Sequence, residues 1–173
     1  MKFQSLKTSK LNKNQIKQIL KLKNTYWKHT LISQKKWFKK NAKSRDLHNI
    51  VSINNNIIGY TFLGFRSFKN TKSKKKLKYL LFATLILKKK YRNFFYASKI
   101  MKFNNKIILK NKKLSLLLCK KSKIKFYKFF GWFKIKKSYF NVVDHPHRLI
   151  GMIYNFRTLK NKIKQGNKFY YYS

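Results

Sequence analysis

Glutamate is absent from this chain and aspartate occurs twice, as Asp46 and Asp144, against 45 lysines and arginines in 173 residues. An average composition would place roughly 20 acids in a chain of this size. Abundant Lys, Asn, Ile, Phe and Tyr point to an AT-rich coding genome, which inflates lysine. That bias does not remove the acids, because Asp and Glu codons are not GC-rich. The formal net charge of +43 makes a free monomer strongly self-repelling. A polyanion is therefore expected beside it, and the abundant ones are nucleic acid and an anionic membrane.

Cysteine is nearly missing too. The single Cys119 excludes an internal disulfide and a cysteine-based zinc site, and its place at the end of an apolar run reads as a core thiol. Long apolar runs are lacking: none reaches the roughly 18 residues of a transmembrane helix, so no transmembrane segment is expected. The N-terminus holds neither the apolar region of a signal peptide nor the arginines of a transit peptide. With 43% hydrophobic residues, the chain suffices for one domain with a real core.

Residues 76–103 organise the rest. Residues 79–87 are an apolar run bounded by lysines and read as a buried strand. A basic turn, Lys88-Lys89-Lys90-Tyr91-Arg92, follows. Ile100, Phe103, Ile107 and Ile108 then recur at three- and four-residue spacing, as on an amphipathic helix. Strand, basic turn and helix make an anion site, since the first amides of a helix lack internal partners and the dipole there favours negative charge. Upstream, residues 1–10 read as a strand or lead-in. Residues 12–26 read as a helix carrying Ile16, Ile19, Leu20 and Lys23, and residues 30–42 as a second one with Leu31, Gln34, Trp37 and Phe38. Residues 49–54 and 57–65 read as strands joined by the hairpin signal Asn54-Asn55-Asn56. Residues 69–78 read as a basic loop. Downstream come a strand over 114–119, a helix over 124–130 ended by Gly131, and closing strands over 133–140 and 152–156. This order predicts an α/β fold, a mixed sheet with helices on both faces. It covers residues 1–156 and leaves 157–173 as a basic, aromatic tail.

Three stretches resemble the GCN5-related N-acetyltransferase (GNAT) family. Ile57-Ile58-Gly59-Tyr60 is similar to its hydrophobic-V-G-Y strand entry. Arg92 to Ala97 stands where the family has R-x-x-G-x-G/A, after the central strand. Lys125-Phe126-Tyr127-Lys128-Phe129-Phe130-Gly131-Trp132 resembles its P-F-Y-x-x-x-G-F/W helix. The resemblance spans about residues 10–156 and implies a GNAT-like mixed central sheet flanked by helices. It also implies acetyl-CoA, with its pyrophosphate on the amides of the turn marked by Arg92, Phe95 and Ala97, and Tyr127 as the acid protonating the leaving thiolate. Phe95 departs from the pattern, which has glycine there because a Cβ would hold the phosphate away. The family's general base, often Glu, has no counterpart. The alternative expectation is that Phe94 or Phe95 packs into the core or against a partner, leaving a vestigial site.

Asp144-His145-Pro146-His147 is the one acid–histidine cluster. A metal there would need a further ligand from afar, so a turn is expected and no metal site. Cations interleave with aromatics at Lys35, Lys36, Lys39 and Lys40 around Trp37-Phe38, and at Lys88, Lys89, Lys90 and Arg92 before Phe94-Phe95. More lie at Lys74, Lys75 and Lys76 and, in the tail, at Arg157, Lys160, Lys162, Lys164 and Lys168. Such cations neutralise phosphates, and aromatic planes stack on unpaired bases. Their spread over nearly every element predicts a chain embedded in RNA. The expectation is a structural component of the mitochondrial ribosome, bound to ribosomal RNA and neighbouring ribosomal proteins, on a GNAT-like domain without a cofactor. The rival is an active N-acetyltransferase using acetyl-CoA, with Tyr127 catalytic. A membrane-surface protein is the third reading.

Overall fold

Two polar residues start the first two helices. The Asn12 side chain accepts from the Gln15 amide at 2.8 Å, and the Gln15 side chain accepts from the Asn12 amide at 3.0 Å. This reciprocal cap opens α1 (Lys13–Asn24). Thr30 Oγ1 accepts from the Ser33 amide at 3.1 Å and opens α2 (Leu31–Asn41). Around them run β1 (Lys2–Lys7), β2 (Leu47–Ile53), β3 (Asn56–Lys69) and β4 (Lys76–Leu87). Then come α3 (Phe94–Lys110), β5 (Ser115–Cys119), α4 (Ile124–Phe129), β6 (Phe133–Lys134), β7 (Phe140–Val142), β8 (Ile150–Tyr154) and β9 (Phe169–Tyr171). This computed structural model describes residues 1–27, 29–69, 76–135, 140–142, 149–155 and 169–171. Lys74, Lys75, the cluster Asp144, His145, Pro146 and His147, and the tail cations Arg157, Lys160, Lys162, Lys164 and Lys168 lie outside the described residues.

Seven strands form one mixed sheet in the order β1-β2-β3-β4-β5-β8-β6, flanked by helices. β1 and β2 are antiparallel, as are β2 and β3, whose turn holds Asn54 and Asn55 at φ 45° and 59°. Positive φ at both central residues is what a twist-matched two-residue hairpin requires. β4 runs parallel to β5, with Leu80 opposite Ser115 and Leu81 opposite Leu116. β5 and β6 both pair antiparallel with β8.

Two expectations are corrected. Residues 69–78 are not all loop, for β3 continues to Lys69 and β4 begins at Lys76; flanking lysines do not stop a strand whose neighbour supplies ladder hydrogen bonds. The strand expected over 133–140 ends at Lys134, and β7 instead pairs in parallel with β9.

The chain divides into two compact units: Met1–Gly64 with Ala83–Ile107, and Phe65–Phe82 with Ile108–Ser173. In the first, strand alternation sends side chains to two clusters. Ile50, Tyr60, Phe62 and Ile86 pack with Ile19 and Leu22 of α1, while Val51 and Ile58 pack with Ile100 of α3. Gly59 permits the second packing: a Cβ there would meet Leu87 Cδ2 at 2.7 Å and Ile100 Cδ1 at 3.1 Å. In the second unit, Leu116, Leu117 and Met152 are buried, as is the Cys119 thiol, whose pKa burial raises. Trp132 is buried there, stacked on Tyr154 with ring centroids 5.4 Å apart and 5.6 Å from Phe82.

Candidate functional site

The basic turn is built by short-range hydrogen bonds. The Lys88 amide donates to Ile58 O at 2.8 Å, tying the end of β4 to β3. Residues Lys89–Tyr91 then make one 3₁₀ turn, with the Tyr91 and Arg92 amides donating to Lys88 O and Lys89 O. Arg92 Nε donates to Leu87 O at 2.9 Å, which anchors the guanidinium, and its Cζ stands 5.5 Å from the centre of the Tyr26 ring. Asn93 caps α3: its side chain accepts from the Tyr96 amide at 3.1 Å, and its carbonyl accepts from the Ala97 amide at 3.1 Å.

Phe94 and Phe95 stand on the first turn of α3 and are 57% and 55% exposed. Of the two expected places for these rings, the core or a partner, neither ring takes the core. Ile100 and Met101, one turn later, already occupy the buried face, both at 0% exposure. Phe95 makes an edge contact with Tyr96, and Lys99 Nζ lies 4.0 Å from its ring centre. Two features oppose a pyrophosphate on this turn. The Tyr96 amide is already bonded to Asn93, and the Phe95 ring stands where the GNAT pattern has a glycine.

Tyr127 sits on α4, half-buried in the second unit. Its ring meets Phe82 edge-on at 6.2 Å and Trp132 at 6.3 Å, and its carbonyl accepts from the Phe130 and Trp132 amides. Gly131, at φ 78°, closes the helix as expected of a C-cap.

A second polar cluster escaped sequence reasoning. His48, fully buried, bonds through Nε2 to Thr8 Oγ1 at 2.9 Å and through Nδ1 to the Tyr60 hydroxyl at 2.8 Å. Burial lowers its pKa to about 4, with Lys23 also lowering and Asp46 opposing. Lys23, buried on α1, places Nζ 3.4 Å from the centre of the Trp37 ring, and burial lowers its pKa to about 8. Asp46 is fully buried and accepts from the Lys43 amide at 2.9 Å, so it closes a turn. Asn104, in the buried face of α3, accepts from Asn49 and Thr61 at 2.9 and 2.8 Å.

Most of the remaining expected cations are exposed. Lys35, Lys36, Lys39 and Lys40 are exposed on α2, and Lys88, Lys89, Lys90 and Arg92 on the turn. Lys76 is the first residue of β4. Sequence reasoning missed Asn93, Tyr26 and Lys99. Asn93 had a signal, a short polar residue just before a helical run; Tyr26 and Lys99 had none. Among the described residues there is no group of three or more metal-ligating side chains, and no helix is long and apolar enough to cross a membrane.

No family model matches the chain, and no curated protein matches it by sequence. Solved structures do match. ElaA from Escherichia coli aligns with a TM-score of 0.65 at 16% identity, covering 88% of this chain and 97% of its own. An acyl-CoA N-acyltransferase from Pseudomonas aeruginosa gives 0.66 at 10%, with the same coverage. The ribosomal-protein-S18-alanine N-acetyltransferase from Escherichia coli gives 0.61 at 10%, covering 88% and 92%. With its seven-stranded mixed sheet and flanking helices, the chain has the fold of the GNAT N-acetyltransferases.

Proposed function

We propose that this GNAT-fold chain is an RNA-bound structural subunit of the mitochondrial ribosome, its former cofactor turn given over to contact. One observation carries the reading: the described surface has no acidic side chain. Asp46, the sole acid among the described residues, is 0% exposed, while cations stand on α2, on the turn before α3 and along α4. With no exposed carboxylate among the described residues to neutralise them, these cations attract phosphates over many faces at once. The absent glutamate and the phenyl-bearing turn argue against acetyl transfer. Arg92, Ala97 and Tyr127 speak for that rival.

The test is sedimentation of mitochondrial lysate. The protein is expected with ribosomal particles at low salt and released only at high salt, because each neutralised phosphate frees condensed counterion. Sedimentation as free protein at low salt, or with membranes after nuclease treatment, would overturn the proposal. Tight calorimetric binding of acetyl-CoA would promote the rival.

A further inference from the structure

The first unit carries an aromatic surface that its core does not use. Tyr26, Phe94 and Phe95 are 59%, 57% and 55% exposed. Each lies beside a cation on the same stretch of surface or chain: Arg92 over Tyr26, Lys99 over Phe95, and Lys89 and Lys90 in the turn leading to Phe94. Phe94 and Phe95 start a helix capped by Asn93, and the Arg92 guanidinium beside Tyr26 is held by its bond to Leu87 O. The surface is therefore formed before any partner arrives.

Charge and shape together select the partner. Cations with no exposed carboxylate among the described residues call for a polyanion, and rings more than half exposed offer area on which planar groups can stack. A duplex offers phosphates but hides its base faces within the stack. A single strand offers both at the spacing of one nucleotide. We infer that Tyr26, Phe94 and Phe95, with Arg92 and Lys99, form a platform on which unpaired RNA bases stack. The inference rests on the RNA-bound reading above and adds what part of the RNA meets this unit.

The experiment measures the affinity of the whole protein for a labelled oligouridine and for an RNA duplex of equal phosphate number. The double substitution Phe94→Ala, Phe95→Ala removes two exposed rings, and alanine suits a helical first turn, so the fold is kept. Each base–aromatic stack is worth roughly tenfold in affinity. The double variant is expected to bind oligouridine about a hundredfold more weakly, with duplex affinity and salt slope unchanged. The substitution Lys89→Gln, Lys90→Gln should lower the salt slope for both RNAs.

Equal losses on both RNAs, or no loss on either, would overturn the platform while leaving RNA binding intact. So would displacement of oligouridine by micromolar coenzyme A, or anionic phospholipid vesicles bound in place of RNA through the same rings. If the unaltered protein binds neither RNA, the RNA-bound reading itself falls.

Discussion

Two of the cation–aromatic pairs of the first unit are of opposite character. Lys23, buried, lies against the partly exposed Trp37, and Arg92 lies against Tyr26 on the outside. The interior pair uses lysine, whose amine can give up its proton, and burial lowers its pKa to about 8. The exterior pair uses arginine, which stays charged in any environment. The difference shows how a chain so rich in cations still builds a core. A cation enters only where it can be neutralised or spread over a ring, and among the described residues no cation other than Lys23 is buried.

The strongest way to break this contrast is to let water into the interior. Phe62 is 1% exposed, with its ring centroid 5.3 Å from His48 and 6.1 Å from Trp37. Phe62→Ala should cost about 3–5 kcal/mol in urea denaturation and raise the His48 pKa, read by NMR titration. Phe95→Ala, on the exterior, should stay within about 0.5 kcal/mol.

Acid comes next in size. Unfolded, His48 takes up its proton near 6.5; in the fold it does so only near 4. The stability it confers is complete above pH 6.5 and is lost as the pH falls toward 4, by about 3 kcal/mol in all. The difference between wild type and His48→Phe, followed by denaturation across that range, should show this slope; a flat difference would contradict the buried neutral imidazole.

Lys23 should give a smaller effect of the same kind. Its folded pKa lies below the ordinary 10.5, so the wild type gains stability as pH rises from about 8 to 10.5. Lys23→Met is expected to stabilise the fold by about 2 kcal/mol at neutral pH, an advantage that disappears above 10.5. At the small end stands Arg92→Gln. It should change stability by about 0.5 kcal/mol and show its effect in RNA affinity instead.

Much of this fold was legible because its punctuation is local. The Asn54-Asn55 turn and the Gly131 stop each act within a few residues, and each is found in place. Strand ends were read less well, since they depend on neighbours: β6 ends at Lys134, where its pairing with β8 ends. Buried polar residues were the least legible. Lys23 was placed in the period of α1, but nothing nearby revealed that Trp37 would cover it. Asn104 finds Asn49 and Thr61 at 55 and 43 residues' distance, partners that only the folded chain brings together. The exposure of Phe94 and Phe95 was missed for a related reason. An apolar residue at the start of a helix declares hydrophobicity, while the face it takes is decided by Ile100 and Met101 one turn on.

The burial of Asp46 has a consequence for assembly order. Two copies meeting through their described surfaces offer no carboxylate to each other's cations, so neither can serve as the other's counterion. Self-association is disfavoured by the same feature that favours capture by a polyanion. On the RNA-bound reading proposed above, each molecule is expected to join its site without a second copy beside it.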